Sequence, residues 1–346
     1  MPTIRDVAAR AGVSTATVSA TLNGTAFVSP ELKARVLAAV RELGYAPDAI
    51  ARSLKQGRTR LIGLIVADIT NPFFTELTQA IESAAQAEAY SVILCDTNQE
   101  FSKEREYIQL MRNYRVDGLI LAPTGRPDDY DPGDMLGIRM PVVLVDRTLP
   151  WLPFDSVALN NMRAAMLGTQ HILERGHRRI GLIGGPEHLS AARERKEGYR
   201  ATLQQYGIGY DDRLVCDGGF RQEDAFVACK EMLSRAYCPT ALFVANNHML
   251  IGVMRAMAEL GLKCPQDIST VSIDDFPWAD AFSPRLTTVS QPAAEIGRAA
   301  VRLLLDRLLG KASPDPVHLV MQPTLIIRDS CIEYVASPFA VGDSVV

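Results

Sequence analysis

The stretch MPTIRDVAARAGVSTATVSATLNG, residues 1–24, decides how the chain is read. Ile4, Val7, Ala8 and Ala11 recur at i, i+3, i+4 and i+7, so they share one face of a helix over Thr3–Ala11. Thr3 can cap that helix, with Asp6 three residues on as the acid of a short capping box. Gly12 breaks it, and Ser14 is a suitable N-cap for a second helix reaching about Leu22. Val18 and Leu22 then point inward, leaving Thr15, Ala16, Ser19 and Ala20 on or near the open side. Two helices at this spacing suit a helix-turn-helix, in which one braces against the backbone and the second enters the major groove.

Ser29-Pro30-Glu31 opens a third helix, with Ser29 as cap and Pro30 in the first turn, where its missing N–H does no harm. Leu32, Val36, Val40 and Leu43 form its inner stripe and Gly44 ends it. A DNA-binding head over residues 1–46 is therefore expected. Residues 47–59 follow as a hinge, whose run at 48–55 is too short to form a stable free helix. It is either a plain linker or an element that orders on docking. Ile50 and Leu54 lie at i, i+4 beside Arg52 and Lys55, and an exposed leucine among bases suits a wedge in a minor groove.

Charge agrees with this division. The chain of 346 residues has a formal net charge of −4, yet residues 1–60 hold nine Lys/Arg against four Asp/Glu. A basic head on an acidic body confines phosphate contact to one end. The apolar fraction of 47 % fits packed globular domains, two or three at this length. No apolar run is long enough to span a membrane, and no secretory h-region opens the chain, so a cytoplasmic location is expected. The six cysteines are scattered without a C-x-x-C pair, as reduced core cysteines are; neither a metal site nor a cofactor is expected.

From Leu61 onward, apolar runs alternate with amphipathic helical stretches. LIGLIVA (61–67), SVILC (91–95), GLILA (118–122), VVLV (142–145), IGLIG (180–184), ALFVA (241–245) and STVSI (269–273) read as buried parallel strands. Glu76–Ala89, Asn160–Arg175 and Asn247–Leu260 are among the intervening helices. The fold class is α/β: a three-helix head and hinge, then a two-lobed, doubly wound body over residues 60–346. The first crossing between lobes is expected at Ser156–Asn160, with Leu286–Ser290 and Val317–Met321 passing back. That places the first lobe at about 60–159 and 291–321, and the second at about 160–290 and 322–340.

Ligands of open α/β sheets bind beyond the carboxyl ends of the strands. Those ends carry Asp68 and Asn71, Asp96 and Asn98, Asp146 and Arg147, Asn246 and Asn247, and Asp274 and Asp275. Such forked polar groups can hold neighbouring hydroxyls of a sugar, and Phe73, Phe74, Phe220, Phe276 and Trp278 could stack on its apolar face.

The run TIRDVAARAGVSTATVSATLNG with GYAPDAIARSLKQG resembles the lac-repressor (LacI/GalR) family of bacterial transcription regulators. IGLIVADITNPFF, VDGLILAP, HILERGHRRIGLIGG, PTALFVANN, PQDISTVSIDD and SPRLTTVSQP extend the likeness to about residue 330. The resemblance implies a periplasmic-binding-protein-like body and a homodimer, or a dimer of dimers, on a pseudo-palindromic operator. It also implies a small-molecule effector, here a sugar or derivative, that alters DNA affinity through the hinge. Thr15, Ala16 and Ala20 match base-reading positions of the family, and Leu54, beside Lys55, matches its wedge. Thr3, Arg5, Thr17, Ser19, Asn23 and Arg52 complete the expected DNA-contacting set. Asn71, Asp146, Arg195, Asn246 and Asp274 match effector-contacting positions of sugar-responsive members, and Phe220 matches an aromatic over the ligand; Phe73 and Arg147 join them from the strand ends.

Some positions depart from the family pattern. Ala20 stands where many members have a long polar side chain, so a bidentate contact to guanine is missing there. Leu189 and Ala191 replace polar residues used by purine-responsive members. The tail after Ser330 has no assigned role.

Two other readings compete. An enzyme is disfavoured because G-x-G-x-x-G, Walker A and G-x-S-x-G motifs are all missing, and His171 and His177 are wrongly spaced for H-E-x-x-H. A solute-binding module for a transporter would share the body but have no use for a basic head.

Overall fold

In the computed structural model, residues 2–24, 26–45, 58–138 and 140–335 are described. The chain divides into two units, Met1–Thr59 and Arg60–Val346. The expected hinge run at 47–56 lies outside the described residues.

Among the described residues the head has three helices, α1 (Ile4–Ala11), α2 (Thr15–Asn23) and α3 (Pro30–Leu43). The Asp6 carboxylate reaches back to accept from the Thr3 backbone N–H at 2.7 Å and from its hydroxyl at 2.8 Å. Ser14 Oγ accepts from the Thr17 amide at 3.1 Å, and Ser29 caps α3 in the same way. Gly12 ends α1 at φ 64°, a left-handed conformation that costs glycine little. A Cβ there would stand 2.6 Å from the Arg35 guanidinium, which donates to the Ala11 carbonyl at 2.6 Å. The core is Val7, Ala8, Ala11, Val18, Val36 and Ala39. Ala39 is buried and Leu32 only partly so, which turns the inner face of α3 slightly from the expected stripe.

The body begins with β1 (Leu61–Val66), α4 (Pro72–Ala87), β2 (Ser91–Asp96), α5 (Phe101–Asn113), β3 (Gly118–Leu121), α6 (Pro132–Leu136), β4 (Val142–Val145) and β5 (Asp155–Leu159). It continues with α7 (Asn161–Glu174), β6 (Ile180–Gly184), α8 (Ser190–Gln205), β7 (Val215–Asp217), α9 (Gln222–Leu233), β8 (Ala241–Val244), α10 (Asn247–Glu259) and β9 (Ser269–Ile273). The last elements are β10 (Thr287–Ser290), α11 (Ala293–Leu308), β11 (His318–Met321) and β12 (Thr324–Ile326).

Two six-stranded sheets result, ordered β11-β5-β4-β3-β1-β2 and β12-β10-β9-β8-β6-β7. Among the described residues every strand pairing is parallel except that of β10 with β12. Parallel sheets need both faces covered. In the first lobe α4 and α11 pack on one face through Leu77, Ile81, Ile296 and Leu304, while Ile108 and Met111 of α5 cover the other.

Four details differ from the sequence reading. Ser156–Leu159 is part of β5, buried along its length, so the chain crosses at Asn160, whose side chain caps α7. Thr287–Ser290 and His318–Met321 are likewise strands, and the return crossings follow them directly. The helix expected from Glu76 starts at Pro72, because Asn71 Oδ1 accepts from the Phe73 amide at 2.9 Å and proline fits the first turn. Strand β2 lies on the sheet edge and is half-exposed rather than buried, with Leu94 open to solvent.

Of the tail, residues 331–335 are described. Cys331 is buried, the Tyr334 amide donates to the Arg175 carbonyl at 2.7 Å, and His177 contacts the Ile332 carbonyl. The tail start is thereby fastened to the end of α7.

Candidate functional site

The outer side of α2 presents Thr15 and Ala16, both exposed, with Ser19 and Ala20 half-buried beside them. Asn23 Nδ2 donates to Ser19 at its carbonyl (2.9 Å) and hydroxyl (3.2 Å), and Thr17 Oγ1 lies 3.0 Å from Ser14 Oγ. Thr3 and Arg5 are exposed on the first turn side of α1. Arg10 pairs with Glu42 at 2.8 Å, so this base and Arg35 brace the head. Arg52, Leu54 and Lys55 lie outside the described residues.

In the body, the strand ends of the two lobes meet. Asp146 follows β4 and Asp274 follows β9, each with a left-handed backbone, at φ 65° and 72°. Aspartate tolerates that conformation better than most residues. Their amides donate across the sheet to Val157 (3.2 Å) and Val289 (3.0 Å).

Arg147 is buried. Its Nη1 donates to the Pro123 carbonyl and its Nη2 to Gln99 Oε1, both at 2.9 Å, while Nε lies 3.2 Å from Asp146 without hydrogen-bond alignment. Burial pulls its guanidinium below the usual arginine range, against the pull of Asp146. Arg195 on α8 donates to Asn161 Oδ1 at 2.8 Å and to the Ala245 carbonyl. Both guanidiniums sit over the Phe220 ring, at 5.6 and 5.7 Å from its centroid. Phe220 can lie there because Gly185 has no Cβ; one would stand 2.5 Å from the ring.

Asp274 accepts from Gln291 Nε2. Burial pushes its carboxyl above the usual range, and Arg195 and Gln291 only partly offset this. Among the described residues, three polar atoms beside it have no partner: Asn247 Nδ2 and Oδ1, and Gln291 Oε1. A buried amide left without partners is costly in isolation, so such groups commonly face a water or a ligand.

The lobes also touch directly. The Thr148 amide donates to Ser190 Oγ at 2.9 Å, and Arg221 donates to the Asn98 carbonyl at 2.8 Å. His248 meets Asp68 and the Thr70 carbonyl, each at 3.2 Å.

The structure thus brings Asp146, Arg147, Arg195, Phe220 and Asp274 together. Asn71 and Asn246 are buried with their side-chain oxygens capping α4 and α10. Phe73 stands edge-to-face on Phe74, 5.0 Å between centroids, and both belong to the first-lobe core. Phe276 packs with Trp278 and Phe282 instead of entering the cleft group. Asp275 is held by Arg328 and Thr288 at 2.7 Å, away from its neighbour's partners. Gln99 and Gln291 carried no sequence signal; they emerge because loop backbones place them beside Arg147 and Asp274. Among the described residues no cluster of three or more His, Cys, Asp or Glu could hold a metal, and no helix is long and apolar enough to cross a membrane.

Residues 3–48 match the model of bacterial regulatory proteins of the lacI family, and residues 169–331 match a periplasmic binding protein-like domain. The chain is 37 % identical to the HTH-type transcriptional repressor PurR of Serratia proteamaculans over 95 % of its length and 97 % of that relative. It resembles the lac repressor dimer bound to operator and the anti-inducer ONPF with a TM-score of 0.83 at 28 % identity, covering 96 % of this chain and 99 % of that one. The regulator CelR in complex with cellobiose is 32 % identical, with a TM-score of 0.72 over 95 % of this chain and all of that one.

Proposed function

The chain belongs to the lacI family of bacterial regulatory proteins and is a DNA-binding transcriptional repressor; from that premise we propose that a sugar or sugar derivative, held between the two lobes, sets its operator affinity. The observation that carries this reading is the unpartnered amide of Asn247, beside the equally unpartnered Gln291 Oε1 and the Asp274 carboxylate. Together they offer a donor and several acceptors, which suits hydroxyls that both give and take a hydrogen bond. Asn71, Phe73, Asp146, Arg147, Arg195, Phe220 and Asn246 surround the same ligand in this reading. Leu189 and Ala191 are buried apolar side chains. The cellobiose complex of CelR is in keeping with a sugar.

On the DNA side, Thr3, Arg5, Thr15, Ala16, Thr17, Ser19, Ala20 and Asn23 contact the operator, and Arg52, Leu54 and Lys55 of the hinge reach the minor groove. A homodimer presents two such heads to a pseudo-palindrome. Effector acts by holding the lobes in one of two arrangements, with a coupling of about 1–3 kcal/mol.

A thermal-shift screen of the full chain against sugars, sugar acids, sugar phosphates and nucleobases tests the effector. Binding at about a hundred times Kd stabilises the native state by about 2.7 kcal/mol. Stabilisation by nucleobases alone would replace the sugar with the second reading, a planar base held beside Phe220, Arg147 and Arg195. For the hinge, Leu54→Ala should weaken operator binding while sparing effector affinity. Unchanged operator affinity at matched salt removes the wedge.

A further inference from the structure

His248 is the second residue of α10, next to the unpartnered Asn247, and it spans the seam between the lobes. Its Nδ1 lies 3.2 Å from Asp68 Oδ2 and its Nε2 lies 3.2 Å from the Thr70 carbonyl oxygen, both in the first lobe. Each facing atom can only accept. A neutral imidazole has one N–H, so one ring nitrogen would set its lone pair against an oxygen; the imidazolium has two donors and satisfies both.

Asp68 is held in place for this contact. Its other oxygen accepts from the Thr70 amide at 2.9 Å and the Thr70 hydroxyl at 2.6 Å. Burial pushes its carboxyl up, but hydrogen bonds from His248 and Thr70 outweigh this and hold it below the ordinary value. The hydrogen bond to Asp68 raises the His248 imidazole despite burial, and Asp274 at the end of β9 adds to the rise. Asp68 and Asp274, the charged groups acting on it, are both acidic.

We propose that His248 is a clasp between the lobes whose contacts form only with the ring protonated, so that closing the cleft takes up one proton from solvent. It is a positioning residue, which draws the first turn of α10 and Asn247 toward the first lobe. This inference rests on the reading that the lobes close around effector.

The direction of the pH dependence follows. When the lobes part, His248 loses Asp68 and returns toward about 6.5. The clasp therefore contributes fully below about pH 6.5, and its contribution is lost as pH rises through the higher value of the closed form. Within that window, closure weakens up to about tenfold per pH unit.

The test uses the full chain with its five histidines labelled at Cε1, the His248 resonance being identified by its loss in His248→Gln. The expected result is titration clearly above about 6.5 in the wild type and a return toward that value in Asp68→Asn. Titration of His248 at or below the ordinary value, or the same value in both proteins, overturns the clasp. Calorimetric titration with cellobiose and with D-ribose in two buffers of different ionisation heat reads the linkage. Net proton uptake in the wild type and none in His248→Gln supports it, and binding without uptake overturns it. If no sugar, sugar acid or sugar phosphate binds, the sugar reading fails while the histidine titration still decides the clasp.

Discussion

In the first lobe, the carboxylate that ends β4 lies against the guanidinium of the next residue; in the second, the carboxylate that ends β9 is bonded to the neutral amide of Gln291. The two strands hold the same place in sheets of the same order, and Asp146 and Asp274 share a left-handed backbone. The edge strands β2 and β7 also end alike, in two consecutive left-handed residues: Asn98 and Gln99 in one lobe, Gly219 and Phe220 in the other. Gln99 and Phe220 then both meet Arg147. Backbone plan is thus repeated while side-chain chemistry is not. The first lobe pairs its cleft charges internally, and the second keeps a buried acid among amides with unmet hydrogen bonds. Selectivity for the ligand should therefore reside mostly in the second lobe.

The largest effect should come from Arg147→Ala, which leaves the buried Asp146 without the guanidinium that lies against it. Breaking a buried pair in this way costs about 3–5 kcal/mol. Arg195→Ala should cost less in stability, because Asp274 keeps Gln291, yet it should abolish the response to effector. Urea unfolding and effector titration of both variants separate the two roles. Equal stability losses with equal effects on binding would break the proposed division between lobes.

A smaller loss is expected from Tyr130→Phe, confined to the first lobe. Glu104, the fully buried acid of α5, accepts from the Thr124 amide (2.7 Å) and hydroxyl (2.6 Å) and from Tyr130 OH (2.8 Å). Burial pushes its carboxyl up, and these bonds partly offset the rise. Removing the phenol oxygen unpairs one Glu104 oxygen and the Gly125 amide, which donates to it at 2.9 Å. About 1–3 kcal/mol should be lost in urea unfolding. The same loop supplies the Pro123 carbonyl that fixes Arg147, so effector affinity should fall as well. A stability loss with unchanged affinity would show that the loop does not hold the cleft.

Much of this was legible in the chain. Apolar period located the helices and most strands, and Ser14, Ser29 and Gly12 marked caps that the structure uses. Segments 156–159 and 287–290 read as crossings because short strands with Ser, Thr and Asp resemble connections until a sheet pairs them. Polar residues at strand ends pointed to the cleft, since that rule depends only on sheet topology. Which of two adjacent residues faces a ligand is a matter of local backbone: Asn246 caps α10 while Asn247 is left unpartnered, and Asp274 faces Gln291 while Asp275 turns to Arg328. Phe74 and Phe276 stood near the same strand ends in sequence, but Phe74 packs edge-to-face on Phe73 and Phe276 packs with Trp278 and Phe282.

The smallest and most discriminating effect should come from comparing Asp274→Asn with Asp146→Asn across pH. Asp274 has a raised carboxyl in the folded chain, so folding favours its protonated form. Its contribution is fully present below the unfolded value of about 3.9 and is lost as pH rises through the folded value. At pH 7 the wild type carries this disadvantage. Asparagine removes it, and its new amide can serve Gln291 Oε1, which lacks a partner. Asp274→Asn should therefore unfold at higher urea than wild type at pH 7, with the gain shrinking toward pH 4, while binding effector more weakly. Asp146→Asn, by contrast, takes a partner from Arg147 and should lose stability at pH 7. A gain in Asp274→Asn that does not change with pH would mean that packing, not ionisation, separates the two lobes.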